Sequence, residues 1–342
     1  MRIELTERWS RREFLAGLSL AGTTGLLGLG PRLGATEPPP ETTTIRLGQG
    51  KGTICLAPNF MAEEFLRAEG FTDIQYIKLE GWGGYAKLLA SGEAHIGMGA
   101  TTNRIMGIDT GEAVVLLAGV HVGCYELFGT DAVRTIRDLK GKTIAGAPLG
   151  SGAYTFLASM LAYVGLDPRK DINWVEHPPD ESMRLLSERK IDAFMGYPPE
   201  IAQEVRAKKI GHVMVNTMME RPWSQYFCCV VIGNREFVRK HPVATKRALR
   251  AMLKGADLCA REPERVARFL VEQGYTQHYD YALQAMKEIP YDKWREYDHE
   301  DTVRFFALRL HEIGMIKSTP QKIIKQGTDW HFLNELKKEW KG

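Results

Sequence analysis

The sequence predicts an α/β protein built as two successive lobes with a helical carboxy-terminal tail. Three observations carry that prediction. The chain has 342 residues, room for two compact domains. From about residue 44 to residue 119, short apolar runs bounded by turn residues alternate with amphipathic segments, the pattern of a mainly parallel sheet covered by helices. The alternation restarts after Asp138-Leu139-Lys140-Gly141-Lys142, and beyond Asn234 only helical periodicity remains. The composition, 44% hydrophobic and 25% charged, is that of an ordinary globular chain.

Residues 1–35 read as an export leader. Ser10-Arg11-Arg12-Glu13-Phe14-Leu15 is a twin-arginine pattern, and a mildly apolar, glycine-rich stretch follows from Ala16 to Gly30. Leu33-Gly34-Ala35 ends it with small residues that a signal peptidase can cut. The segment resembles a bacterial twin-arginine signal, which implies a periplasmic location. The alternative, an uncut anchor, is disfavoured by a short apolar run broken by glycines. Residues 36–43, with Pro38-Pro39-Pro40, read as a flexible lead-in. The leader holds five basic residues (Arg2, Arg8, Arg11, Arg12, Arg32) and three acidic ones (Glu4, Glu7, Glu13), so removing its +2 from the net +3 leaves +1. That balance argues against nucleic acid as the main partner.

The first lobe begins with a strand at Ile45–Gly48, a loop at Gly50–Cys55 and a helix from Ala57 with Phe60, Met61, Phe65 and Leu66 on one face, closed by Gly70. Ile74–Leu79 alternates as a strand, and Gly81-Trp82-Gly83-Gly84 leads into a helix that Gly92 closes. Ala94–Gly99 is a strand, Thr101-Thr102-Asn103 caps the next helix, and the continuous run Val114–Gly119 reads as a buried strand. In such a sheet, ligands sit on the loops that leave the carboxyl ends of the strands. Here those loops are Gly50–Cys55, containing Thr53 and Cys55; Gly81–Gly84, containing Trp82 and Gly83; and Ala100–Asn103, containing Thr101 and Thr102.

The second lobe opens with Thr143-Ile144-Ala145-Gly146, a short buried strand. Pro148 and Gly150 break it, and Ser151 caps a helix whose first backbone donors, at Gly152 and Ala153, lack helical partners. Strand, glycine loop and helix start together make a ready site for a small anion or a polar ligand edge. A strand at Ile172–Val175 follows, then a helix capped by Asp180, then a strand at Ile191–Met195 with the exit loop Gly196-Tyr197-Pro198-Pro199-Glu200. Gln225–Ile232 is the next strong strand. The tail carries helices at Glu236–Lys240, Val243–Ala260, Pro263–Gln273, Tyr281–Lys287, Asp301–Ile313 and Phe332–Trp340; in the fifth, Val303, Phe305, Phe306, Leu308, Leu310 and Ile313 face inward.

This order of elements resembles the periplasmic substrate-binding proteins of ABC importers, in the nitrate/sulfonate/taurine branch that shares its fold with thiamine-pyrimidine binding proteins and synthases. The likeness rests on Asp138–Thr143, Leu88-Leu89-Ala90-Ser91-Gly92-Glu93-Ala94-His95-Ile96-Gly97, Ile191-Asp192-Ala193-Phe194 with the following prolines, and Asn234-Arg235-Glu236-Phe237 into His241-Pro242. It covers about residues 44–269. It implies a two-lobed type II fold with two crossover strands, around Cys124–Phe128 and Gln225–Cys229. The implied lobes are 44–126, 127–225 and 226–342, the last returning to the first lobe with the helical tail packed on it.

The resemblance implies capture of a small planar or anionic solute between the lobes, docking on a permease with its ATPase, no cofactor and no bond-making step. Trp82 and Tyr197 offer flat faces for such a solute, and Thr101, Thr102 and the Ser151-Gly152-Ala153 start offer hydroxyl and amide donors. Arg104 can neutralise an anion, while Glu126 and Glu200 can read a cationic group or serve as lobe charges. His121 and Cys124 read as core or hinge residues. Two alternatives share the fold: a pyrimidine-precursor synthase, and a sensor that delivers its ligand to a membrane signalling protein. The synthases carry a longer cysteine motif containing a phenylalanine, of which only Phe227-Cys228-Cys229 is present.

Five cysteines, Cys55, Cys124, Cys228, Cys229 and Cys259, leave an odd thiol in any disulfide scheme. Their spacing matches no linear metal motif. Cys228-Cys229 reads as two small buried residues, with a Cys124 disulfide to one of them as the alternative because the crossover strands run side by side in the resembled fold.

Overall fold

The computed structural model describes residues 37–341 except 50–53, 79–83, 147, 149 and 197–198. The leader, Thr53, Trp82, Gly83 and Tyr197 therefore lie outside the described residues. Among the described residues, no helix is long and apolar enough to cross a membrane.

In chain order the first part is β1 (Thr44–Gln49), α1 (Ala57–Met61), α2 (Glu63–Ala68), β2 (Asp73–Lys78), α3 (Gly84–Ser91), β3 (Ile96–Ala100), α4 (Thr101–Asp109) and β4 (Val114–Val122). The second is β5 (Glu126–Gly129), β6 (Thr143–Gly146), α5 (Gly152–Tyr163), β7 (Asn173–Glu176), α6 (Pro179–Ser187), β8 (Ala193–Gly196), α7 (Pro199–Ala207) and β9 (His212–Asn216). β10 (Phe227–Asn234) leads into α8 (Arg235–Lys240), α9 (Pro242–Arg261), α10 (Pro263–Glu272), α11 (Tyr279–Glu288), α12 (His299–Glu312), α13 (Pro320–Gly327) and α14 (His331–Glu339).

The strands form two sheets, ordered β2-β1-β3-β10-β4 and β7-β6-β8-β5-β9. The chain passes between them twice, from β4 to β5 and from β9 to β10. Each crossing strand lies antiparallel between its neighbours: β10 against β3 and β4, β5 against β8 and β9. The interior β10 and β4, which ends the same sheet, are both buried at every position, which is why their sequences are continuous apolar runs. The edge strands β2 and β7 carry exposed residues, as one-sided burial requires.

Several expectations need correcting. The first predicted helix is broken at Ala62 into α1 and α2. Thr101 does not cap α4; Ala100 does, in extended conformation, and Thr101 is the first helical residue. Asp180 lies inside the first turn of α6, behind a cap at Pro178. Leu308 is 38% exposed rather than inward-facing, because α12 is covered on less of its circumference than its apolar stripe suggests. β9, α7 and α13 escape the pattern reading. Pro199, expected in an exit loop, starts α7, and Pro320 starts α13, since the first turn needs no proline donor. The tail is also not confined to the first lobe: α9 packs on α1 and α2, but α12 packs on α5 and α11 on α7.

Candidate functional site

The two sheets meet at the starts of α4 and α5. Ser151 stands in extended conformation and its Oγ accepts from the Tyr154 N–H at 3.2 Å, closing the first turn of α5. Asn103 Nδ2 donates to the Gly150 carbonyl at 2.7 Å, and the Thr102 and Thr155 hydroxyls share a hydrogen bond of 2.7 Å. A Cβ on Gly152 would lie 2.5 Å from Cβ of Ala100, so only glycine lets the two helix starts approach this closely. Of the candidate residues, Thr102, Ser151, Gly152 and Ala153 are thus brought together. Asn103 and Thr155 join them unannounced; the position of Asn103 beside the threonines was the available signal.

Thr101 turns elsewhere. Its Oγ1 donates to the Phe227 carbonyl at 2.6 Å and contacts that of Cys228 at 3.1 Å, pinning α4 to β10. Arg104 is buried; it forms an ion pair with Glu112 at 3.5 Å and bonds Asn103. The side chain of Glu200 lies outside the described residues.

Glu126 is fully buried at the first position of β5, opposite Gly196 and Asn216. Its Oε1 accepts from Asn216 Nδ2 at 3.1 Å and lies 3.4 Å from Arg206, whose other nitrogen is 2.6 Å from Glu288 on α11. Burial pushes the Glu126 carboxyl up to about 7; Arg206 opposes this and Glu288 adds to it. The unfolded chain releases this proton near 4.5, whereas the folded chain holds it until about 7. Stability therefore falls as pH rises through that window, by about 2–3 kcal/mol from this group. Glu126→Gln is expected to flatten that slope in urea denaturation between about pH 4.5 and pH 7.5. An unchanged slope would show that another group sets it.

Below the helix starts, at the crossings, lies a sulfur cluster. β4 and β10 pair with His121 opposite Cys229, and the register slips around Cys228 and Cys229. In a regular strand neighbouring side chains point to opposite faces. This irregularity is a means of re-aiming side chains, and both sulfurs reach the same region. Cys228 Sγ lies 2.9 Å from Cys124 Sγ, while Cys229 Sγ groups with Cys55 and His121. All five cysteines are buried and unbridged. Cys55 thus faces this cluster. Burial raises the Cys228 pKa, but donor contacts from Cys124 and Cys229 outweigh it and bring the thiol to about 6.

The crossing itself is held by Thr217, whose hydroxyl donates to the Tyr125 carbonyl at 2.8 Å and accepts from the Tyr125 N–H at 3.0 Å. Gly123 has φ +51, and a Cβ there would sit 2.4 Å from the Thr217 carbonyl oxygen. A separate hollow of about 610 Å³, lined by Asp298, His299, Trp330 and Lys337 among others, lies on α12 and α14, away from the helix starts.

Residues 59–266 match the family model described as NMT1/THI5 like. Among curated proteins, none matches the chain in sequence. The periplasmic nitrate-binding protein NrtA from Synechocystis PCC 6803 has a similar structure, with TM-score 0.70, 16% identity, and coverage of 88% of this chain and 90% of that one. The periplasmic sulfonate-binding protein SsuA from Methylobacillus flagellatus KT gives 0.67, 17%, 87% and 94%. The periplasmic aliphatic sulphonate binding protein SsuA from Escherichia coli gives 0.65, 15%, 83% and 96%. At these identities the likeness is one of fold.

Proposed function

The chain belongs to the NMT1/THI5-like family, and from that premise we propose that it is the solute-binding subunit of an ABC importer. It captures a small planar or anionic molecule (a sulfonate, nitrate, an aromatic carboxylate or a pyrimidine-like ring) between its lobes and presents it unaltered to a membrane permease and its ATPase. The observation that carries this reading is the meeting of two helix starts, at Thr101 and Gly152, from two sheets joined by two crossings. Helix starts direct backbone donors and the positive end of the helix dipole at a bound group, which favours anionic or carbonyl-bearing edges. Trp82 and Tyr197 are proposed to supply the flat faces. The twin-arginine leader supports a periplasmic location. A ligand touching both lobes stabilises their closed arrangement only by its extra contacts there.

A thermal-shift screen of the mature chain against these four classes tests the proposal. A ligand at a hundred times its Kd adds about 2.7 kcal/mol to stability, enough to raise Tm by a few degrees. Stabilisation by at least one class is the expected result. No stabilisation by any class, together with turnover of a bound cofactor, would favour the synthase reading instead.

A further inference from the structure

We propose that Cys55, His121 and Cys229 form a binding site for one soft metal ion, Zn(II) or Cu(I), at the crossing between the two sheets. The two sulfurs and the imidazole nitrogen all lie within 4.8 Å of one another, and all three residues are buried. Metal–sulfur bonds of about 2.3 Å and metal–nitrogen bonds of about 2.0 Å place ligand atoms roughly 3.5–4 Å apart. Small rotamer changes therefore gather these atoms around an ion.

The imidazole is already oriented for the task. His121 Nδ1 donates to the Gly123 carbonyl at 2.9 Å, which leaves Nε2 as the nitrogen available to a metal ion. Nε2 is fully buried and, among the described residues, has no partner at ordinary hydrogen-bond distance. A buried polar atom left this way costs about 1–3 kcal/mol, and a metal ion satisfies it. A ring nitrogen tied to a carbonyl is the usual outer support of a metal-bound histidine. Tyr291 braces both sides: its ring meets His121 edge-on at 5.3 Å and its hydroxyl donates to the Cys55 carbonyl at 3.2 Å.

The donor set selects the ion. Two thiolates and an imidazole suit Zn(II) or Cu(I), and the group contains no carboxylate to favour Mg(II) or Ca(II). Coordination by Cys55, His121 and Cys229 forms two metal–sulfur bonds and one metal–nitrogen bond and releases two protons to solvent, and a third thiolate adds one more bond and one more proton, with no change of oxidation state. A four-coordinate zinc ion would recruit Cys124 as its remaining thiolate, whereas three donors satisfy Cu(I). The ligands come from the turn after β1, from β4 and from β10, so an ion ties the first sheet together where the chain leaves for the second.

The full mature chain, purified reduced and without oxygen, is titrated with Co(II) as the zinc stand-in and, separately, with Cu(I) against a chromogenic chelator. One equivalent per chain is expected, with sulfur-to-cobalt charge-transfer absorption and a raised Tm. Proton release on binding, followed with a pH indicator, should be two per ion with Cu(I) and three with zinc. His121→Ala and Cys229→Ser should each weaken binding by more than about 100-fold, while Cys259→Ala, outside the group, should retain it. Should His121→Ala fail to fold, Cys55→Ser and native mass spectrometry of the unmodified chain supply the same readout. Absence of the charge-transfer band, with no proton released on adding either metal, overturns the site, as does undiminished binding in His121→Ala or Cys55→Ser.

Discussion

Gly152→Val should weaken solute capture by about tenfold or more while the chain still folds. Gly152 opens α5, and a Cβ there would lie 2.5 Å from Cβ of Ala100, the residue that caps α4. A branched side chain therefore wedges the two helix starts apart. That separation breaks the Asn103–Gly150 and Thr102–Thr155 hydrogen bonds. Each contributes about 0.5–1.5 kcal/mol, so the closed arrangement loses roughly 1–3 kcal/mol relative to an open one. Apparent affinity falls in proportion to the fraction of chains that are closed. Calorimetry on the ligand found by the thermal-shift screen measures the loss, and small-angle scattering measures the opening. Asn103→Ala, which removes one bond without a wedge, should show a smaller loss. Wild-type affinity in Gly152→Val would place the binding surface elsewhere.

Arg206→Ala should destabilise the chain by about 2–4 kcal/mol near pH 8, and by much less near pH 5. Arg206 stands between Glu126 at 3.4 Å and Glu288 at 2.6 Å, joining β5 of the second sheet to α11 of the tail. Without the guanidinium, Glu126 is a buried carboxylate facing a second one. At low pH it takes up a proton and the penalty shrinks. The double variant Arg206→Ala/Glu126→Gln should recover most of the lost stability at high pH, since no uncompensated charge remains. Urea denaturation at the two pH values measures the difference. An equal loss at both would mean that Arg206 acts through packing of its aliphatic stem rather than through charge.

Much of this organisation was legible before any coordinates. The buried runs that became β4 and β10 are continuous because both faces of those strands are covered. Ser151 is legible as a cap because it stands just after a glycine break and just before a helical run, and Asn234 caps α8 in the same way. The restart of the strand–helix alternation near Asp138 announced the second sheet. What misled the reading was local chemistry with two outcomes. A proline can sit in a loop or begin a helix, and Pro199, placed in an exit loop by its sequence, begins α7. A threonine at a helix start can cap it or reach across, and Thr101 reaches to β10.

By itself the sequence determined the α/β alternation, the second lobe, the helical tail and the glycine-bearing helix start at Ser151–Ala153. These depend on side chains within a few positions of one another, whose spacing sets which face is apolar and where the backbone turns. Only the tertiary structure decided that Cys55, His121 and Cys229 converge, that Arg206 reaches Glu126, and that Gly152 meets Ala100. The convergence of Cys229 with His121 follows from strand register and from the bulge around Cys228 and Cys229, and the other two meetings follow from how helices pack on the sheets. A shift of one residue would turn each side chain to the opposite face, and pairings between segments a hundred residues apart leave no local pattern to read.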